Sequence, residues 1–205
     1  MTETDPYPTT RGIGEPLSNL LEHRRLRYII RCGVYPRLLP MSVAEHSFFV
    51  TFYAMKIGQD LDLSSFDLER LALLALEHDV LEIVSGDIPK PIADKVSEHG
   101  DVSDKILEIA GGLFKQVLIG SLAGKIAHDI LQMADLLELT IYLVEERRMG
   151  NVSIDNLLKV CIEHLDDMAV EQSGHDSCSK WFSDVVHQLK SFVVTKESRR
   201  GLINV

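Results

Sequence analysis

The sequence contains little cysteine and little positive charge. Its three cysteines, Cys32, Cys161 and Cys178, are odd in number and have neither zinc-ligand nor redox spacing, which favours a reduced, cytoplasmic setting. The 21 Lys and Arg residues against 31 Asp and Glu residues give a net charge of −10. That balance argues against a nucleic-acid polymer as partner. We therefore expect an acidic protein whose partners are small molecules.

Long apolar runs and strand-like alternation are also missing. No apolar segment approaches the roughly 20 residues that a membrane-spanning helix needs, and the polar, Pro-containing N-terminus is not typical of a signal peptide. No window has a convincing period of two. The 205 residues, 45% of them hydrophobic, suit one domain with a substantial core. We predict an all-α helical domain at residues 16–205 after a flexible tail at residues 1–15, with no membrane association.

Apolar spacing and end signals predict where the helices lie. Ser42-Val-Ala-Glu45 is a capping box that begins a helix running to about Gly58, and Gly150-Asn151 ends a long helix that begins near Leu122. Further helices are predicted at residues 16–31, 66–78, and about 102–118, 154–170 and 180–194. We interpret the apolar stripe from Phe48 to Ile57 as core. The long apolar faces also predict a homo-oligomer, a dimer or higher.

Two imidazoles and two carboxylates lie in apolar stretches of three separate predicted helices. Burying them is costly unless something pairs with them. A mixed set of nitrogen and oxygen ligands suits Mn, Fe, Co, Ni or Zn better than Ca or Mg. We therefore predict a site for a divalent transition metal, with the ligands His46, His78, Asp79 and Asp135.

Each of these residues also has a simpler structural interpretation. His46 alone suits a hydrogen-bonded core histidine, and Asp135 suits a buried helix acid paired with Arg147 or another base. A His-Asp pair is not distinctive by itself, since the chain has two more, at residues 128–129 and 175–176. His128 shares a helix face with Asp135, so it is also a candidate extra ligand in a site with two metals.

Positive charge is concentrated near the start of the predicted domain. Arg24, Arg27 and Arg31 share one face if this segment is helical. Such a strip suits a small anionic ligand, with Lys90 or Lys95 as further cations to offset phosphoryl charge. The alternative is a solvated face that pairs with acids elsewhere.

Three motifs surround the predicted ligands, in the order Val43-Ala-Glu-His46-Ser, Leu76-Glu-His78-Asp79-Val-Leu-Glu82-Ile-Val-Ser-Gly-Asp87-Ile-Pro and Met133-Ala-Asp135-Leu-Leu-Glu. They resemble the motifs of the HD-domain metal-dependent phosphohydrolases, and within them those of the 5′-deoxynucleotidases of the bacterial YfbR type. The resemblance runs from about Arg25 to Asn151. It implies an HD-domain helical bundle that hydrolyses deoxynucleotides.

The resemblance also implies a role for each site residue. It makes the four predicted ligands those of one divalent metal, Glu82 the acid that orients or deprotonates the attacking water, and Asp87 the acid that contacts the sugar 3′-hydroxyl. Arg31 matches an arginine on the phosphate side. Glu82 follows His78 by four residues and therefore shares its helix face, although Glu82 and Asp87 also suit a solvated face and a turn. The family commonly has Trp after the arginine, where this chain has Cys32.

Three functions are compatible with these residues. The first is hydrolysis of deoxynucleoside 5′-monophosphates to deoxynucleoside and phosphate. The second is a dNTP triphosphohydrolase, of the kind some phages carry, that uses the same ligands and releases triphosphate. The third is a non-catalytic module that keeps the HD fold to bind a nucleotide.

Overall fold

The computed structural model of this chain describes residues 15–88, 124–173 and 179–200. Within these ranges the protein is all-α, as predicted. The helices are α1 (Glu15–His23), α2 (Val43–Asp60), α3 (Ser65–Glu77), α4 (Glu82–Ser85), α5 (Gly124–Arg148), α6 (Asp155–Ser173) and α7 (Lys180–Arg200), and a 3₁₀ helix at Arg24–Tyr28 follows α1.

Several sequence predictions lie outside the described residues. They are the tail before Glu15, the helix at about 102–118, Lys90, Lys95, Cys178 and the His175-Asp176 pair. The extent of the domain therefore stays a prediction. None of the described helices is long and apolar enough to cross a lipid bilayer.

Helix α2 is the central element and packs against α3, α5 and α7. It begins at the predicted capping box, where Ser42 Oγ accepts a hydrogen bond from the Glu45 N–H and the Glu45 carboxylate accepts one from the Ser42 N–H. Its inner face contributes Val50, Ala54 and Ile57 to the largest core cluster. This face orients the buried residues of α2 toward α3 and α5.

The contact between α2 and α3 is close near the end of α2. A Cβ atom at Gly58 would lie 2.9 Å from Leu68 Cδ2 and 3.0 Å from Leu71 Cδ2. At the same end, the Asp60 carboxylate accepts hydrogen bonds from Ser179 Oγ and the Trp181 N–H, so it caps the start of α7. These contacts fix the end of α2 in the bundle.

The loop between the 3₁₀ helix and α2 is attached to the far end of α5. The buried Glu146 carboxylate accepts hydrogen bonds from the N–H groups of Leu38 and Leu39 and from the Asn151 side-chain amide. Tyr142 donates its hydroxyl proton to the Leu39 carbonyl. The loop that follows Arg31 is therefore held by specific polar contacts.

Two sequence interpretations were wrong. The helix predicted at residues 16–31 ends at Tyr28, because Ile30 forms an antiparallel bridge with Ser42, the one β pairing in the described ranges. Arg31 therefore does not share a helix face with Arg24 and Arg27. The stripe from Phe48 to Ile57 is not all core either, since the Phe48, Phe49 and Phe52 side chains are 42–61% exposed.

Candidate metal centre

His46 lies one turn inside α2 and is completely buried. Its Nδ1 is 2.5 Å from Oε2 of Glu138, a buried residue of α5. Its Nε2 faces His78, Asp79 and Asp135. A buried imidazole needs hydrogen-bond partners at both nitrogens, and Glu138 supplies one of them.

His78 and Asp79 follow the last residue of α3. The His78 ring donates from Nδ1 to the Ala75 carbonyl oxygen at 2.7 Å. Its Nε2 is 3.3 Å from Nε2 of His46 and 3.2 Å from Oδ2 of Asp79. The same Asp79 oxygen is 3.3 Å from His46 Nε2. The end of α3 therefore brings two of the predicted ligands against the third, and these three residues form a group able to hold a metal ion.

Asp135 approaches this group from the middle of α5. Its Oδ1 is 3.2 Å from His46 Nε2, and its side chain is 39% exposed, the most open of the four. Tetrahedral ligands about 2.0–2.1 Å from one zinc ion lie about 3.3 Å apart. The three separations among His46, His78 and Asp79 are 3.2–3.3 Å, so the spacing of these three ligand atoms fits one cation. Asp135 is close to His46 but lies outside this group of three.

The hydrogen bonds of the two rings also fit a metal. A neutral imidazole carries one N–H, and its other nitrogen carries the lone pair that binds a metal. Both rings have an acceptor at Nδ1, Glu138 for His46 and the Ala75 carbonyl for His78. With the N–H at Nδ1 in each ring, both Nε2 atoms present lone pairs to the same point. Two such lone pairs are stable side by side only with a proton or a cation between them, so both rings can bind a metal ion through Nε2 once that proton has left.

Arg31 places its guanidinium among four carboxylates. Nη1 is 3.0 Å from Asp79 Oδ2, and Nη2 is 2.8 Å from Asp135 Oδ1. Nη1 is also 3.7 Å from Glu82 Oε1 and 3.6 Å from Asp87 Oδ1. The antiparallel bridge between Ile30 and Ser42 holds the Arg31 backbone, since the Arg31 N–H donates to the Met41 carbonyl. Arg31 thus brings Glu82 and Asp87 into the same site as the predicted ligands.

Glu82 and Asp87 differ in their surroundings. Oε2 of Glu82 is buried without a hydrogen-bond partner in the described part of the chain. Burial and the nearby Asp79 charge raise the pKa of Glu82 to about 8, against the opposing effect of Arg31. Asp87 instead accepts a 2.8 Å hydrogen bond from the backbone N–H of Cys32, which has a positive φ of 55°. Asp87 therefore holds the turn directly after Arg31.

The other titratable groups of the site are shifted by one another. Burial alone lowers the pKa of His46, but hydrogen bonds to Asp135, Asp79 and Glu138 raise it to about 10. Burial raises the pKa values of Asp79 and Asp135, but both end below their usual range. Hydrogen bonds to His46 and His78 lower that of Asp79, and His46 and Arg31 lower that of Asp135. The two carboxylates are therefore charged at neutral pH.

The structure also separates some alternatives from the site. Arg147 pairs with Asp155, and the base that pairs with Asp135 is Arg31. His128 is exposed beside Gln132 and is not part of the group of potential ligands found in the described residues. Glu138 lies within the third motif, but sequence reasoning assigned it no role. Its position three residues after Asp135, on the same helix face, was the available signal.

Comparison with known proteins adds a family and a fold. The model of a family described as 5′-deoxynucleotidase YfbR-like matches residues 20–182. A 5′-deoxynucleotidase of Yersinia pestis (strain Pestoides F) is 31% identical over 123 residues, which cover 58% of this chain. The match spans 60% of the length of that relative.

Solved structures support the same fold at lower identity. A cyanophage S-2L HD phosphohydrolase (DatZ), bound to dA and one catalytic Zn²⁺ ion, superposes with a TM-score of 0.58 at 18% identity and covers 85% of this chain and 96% of its own. A Listeria innocua HD-domain phosphohydrolase has a TM-score of 0.57 at 20% identity and covers 88% and 99%. The fold is therefore the HD-domain helical bundle that the motifs predict.

Proposed function

The chain belongs to the YfbR-like 5′-deoxynucleotidase family, and we propose that it is a metal-dependent phosphohydrolase that acts on deoxynucleoside 5′-monophosphates. The observation that carries this proposal is the meeting of His46, His78 and Asp79 at 3.2–3.3 Å. Beside them lies the buried Glu82 carboxylate with an unpartnered oxygen. The products would be a deoxynucleoside and inorganic phosphate.

In this proposal His46, His78, Asp79 and Asp135 hold one divalent transition metal. When bound, such an ion polarises a phosphoryl oxygen and lowers the pKa of water. Mn, Fe, Co, Ni and Zn all suit two imidazoles and two carboxylates. The Zn²⁺ ion of the cyanophage protein supports zinc as one candidate.

Glu82 is the proposed proton acceptor. A general base works best when its pKa lies near the working pH, and burial raises the pKa of Glu82 above its ordinary value in the metal-free protein. The attacking water would donate its proton to Oε2, because that oxygen has no hydrogen-bond partner among the described residues. The water oxygen would form a bond to phosphorus as the bond from phosphorus to the sugar 5′ oxygen breaks, and the proton held by Glu82 would pass to that leaving oxygen.

Arg31 and Asp87 are proposed to hold the substrate. Nε of Arg31 is buried and has no partner in the described ranges, so it is a donor that remains for a phosphate oxygen. A carboxylate has several lone-pair sites, so Asp87 can accept from the sugar 3′-hydroxyl as well as from the Cys32 N–H. The dA bound to the cyanophage protein supports a deoxynucleoside substrate class.

Two alternatives remain distinct from this proposal. A triphosphohydrolase would need positive charge for two more phosphates; among the described residues, Arg24 and Arg27 are exposed and do not share a helix face with Arg31. A non-catalytic module would bind nucleotide without turnover. The buried, unpartnered Glu82 oxygen favours catalysis, since it has no structural use within the described ranges.

A product assay distinguishes these functions. Protein loaded with Co²⁺, Mn²⁺ or Zn²⁺ is incubated with each common dNMP, NMP and dNTP, and the products are separated by anion-exchange chromatography. We expect inorganic phosphate from dNMPs and much less from NMPs. Tripolyphosphate from dNTPs would establish the second function, and binding without turnover the third. Glu82→Gln, which keeps the proposed ligands, is the control for chemistry.

We also propose that the protein is a cytoplasmic homo-oligomer. The exposed Phe48, Phe49 and Phe52 side chains on α2 support a contact with a second copy. The free thiols of Cys32 and Cys161 support a reducing compartment. Light scattering should give at least twice the 23.0 kDa mass of one chain, and a monomeric mass would contradict the oligomer.

A further inference from the structure

We propose that Glu138 is a positioning residue for the metal centre, which fixes the His46 ring so that Nε2 presents its lone pair to a divalent cation. This inference rests on the proposed function, because Glu138 would act on the same metal site through its contact with a proposed ligand. The contact that carries it is the 2.5 Å distance between Glu138 Oε2 and His46 Nδ1.

Burial makes this contact specific. His46 is completely buried and Glu138 is 3% exposed, so water does not compete for either group. A carboxylate accepts and cannot donate when it is charged, and it therefore requires the N–H of His46 to be on Nδ1. If the ring turned over or changed tautomer, the hydrogen bond would be lost and an N–H would point at the cation.

The other histidine of the site shows the contrast. His78 Nδ1 donates to the Ala75 carbonyl, a neutral backbone acceptor of its own helix. His46 instead has a charged acceptor from a different helix. A carboxylate behind a metal-bound imidazole raises the basicity of that ligand and fixes its ring. His46 is therefore the ligand whose orientation and strength depend on a long-range contact.

Glu146 provides an internal comparison, because it is a second buried glutamate on the same helix. Glu146 accepts hydrogen bonds from the N–H groups of Leu38 and Leu39 and from the Asn151 amide, so its use is to hold a loop. Within the part of the chain that the structure describes, Glu138 bonds to the His46 ring and to no backbone group. Its contact is therefore directed at a proposed ligand.

The position of Glu138 also links two ligands. Asp135 and Glu138 are three residues apart and share one face of α5. Asp135 Oδ1 is 3.2 Å from His46 Nε2, while Glu138 lies at Nδ1 of the same ring. Helix α5 thus contacts both nitrogens of His46, and the docking of α5 on α2 sets the ring between a proposed ligand and its positioning residue.

The test measures metal affinity without substrate. Metal-free wild type, Glu138→Gln, Glu138→Leu and the matched control Glu146→Gln are titrated with Co²⁺ in competition with a chromophoric chelator. We expect Co²⁺ to bind Glu138→Leu about 10- to 100-fold more weakly than wild type, the usual effect of losing such a partner. Glu138→Gln keeps an acceptor oxygen and should lose less, and Glu146→Gln should bind within about twofold of wild type. The visible spectrum of bound Co²⁺ should change in the Glu138 variants only.

Each outcome separates this inference from the proposed function. Wild type that binds no Co²⁺ would overturn both. Wild type that binds Co²⁺, with both Glu138 variants equal to it in affinity and spectrum, would overturn only the role of Glu138. If circular dichroism shows that Glu138→Leu is unfolded, Glu138→Gln decides. Weaker Co²⁺ binding than in Glu146→Gln supports the inference, and binding equal to wild type overturns it.

Discussion

Arg31 Nη2 lies 2.8 Å from Oδ1 of Asp135, and this oxygen is also 3.2 Å from Nε2 of His46. The second guanidinium nitrogen binds Asp79 Oδ2 in the same way. Arg31 therefore bonds to oxygens from two of the four proposed ligands. Its positive charge stabilises a group of carboxylates that would otherwise repel one another, and the same charge opposes a metal cation.

Replacing Arg31 should separate metal binding from turnover. In Arg31→Met, Asp79 and Asp135 lose a competing cation, so we expect Co²⁺ to bind at least as tightly as in wild type. Phosphate release should fall by about 100-fold or more, since a charge-assisted contact to the substrate phosphate is lost. Chelator competition and a phosphate assay measure the two quantities. Arg24→Met removes an exposed charge nearby and is the control. If Arg31→Met bound Co²⁺ more weakly than wild type while Arg24→Met did not, this account would be contradicted.

Metal binding should release protons. Hydrogen bonds to carboxylates raise the pKa of His46 to about 10 in spite of its burial, so the metal-free ring holds at pH 7 a proton that the cation must displace. The apparent affinity should therefore rise about tenfold per pH unit below that pKa. Calorimetric titrations in buffers of different ionisation enthalpy count the released protons. An affinity that does not change between pH 6.5 and 8.5 would be the opposite result.

The stability of the metal-free protein should depend on Glu82. The pKa of this carboxyl is raised from 4.5 to about 8 by burial and Asp79, so the folded state binds a proton that the unfolded chain has lost. The stability that Glu82 contributes is present below about pH 4.5 and is lost as the pH rises through 8. Metal-free Glu82→Gln should gain on the order of 4 kcal/mol over wild type between pH 5 and pH 8.5. Urea unfolding at pH 5 and pH 8.5 measures the free energy of unfolding of both proteins. If it changed equally with pH in wild type and in Glu82→Gln, this prediction would be wrong.

Asp87→Asn distinguishes a contact with the sugar from a purely structural role. Asparagine keeps an oxygen for the Cys32 N–H, so the melting temperature should change little. If the carboxylate accepts from the sugar 3′-hydroxyl, KM for dNMPs should rise about 10-fold, since a hydrogen bond to a charged group contributes about 1.5–3 kcal/mol. Unchanged kinetics with unchanged stability would leave Asp87 as the residue that holds the turn.

Local patterns predicted the parts of the site that local chemistry determines. The capping box at Ser42 places the start of α2, and His46 follows one turn later on the face that α3 and α5 cover. The positive φ of Gly150 directly follows the last residues of α5, where the sequence predicted its end. These signals depend on neighbouring residues in the chain.

The sequence predictions that are wrong, and the missing role for Glu138, depend on long-range contacts. The bridge between Ile30 and Ser42 removes Arg31 from the helix predicted for it. Apolar spacing could not show which side of α2 faces the core, so the exposed Phe48 and Phe52 were read as buried. Glu138 acts on a residue 92 positions away, and no periodicity in the sequence carries that relationship.

The central claim is that one cation, held by residues of α2, α5 and the end of α3, makes the chain a phosphohydrolase. Its most direct test is a titration of metal-free protein with Co²⁺ while phosphate release from a dNMP is followed. We predict that release starts with the first addition, saturates at one equivalent per chain, and is absent in Asp79→Ala at every ratio. Release that is the same with and without metal, or an Asp79→Ala variant as active as wild type, would contradict the account.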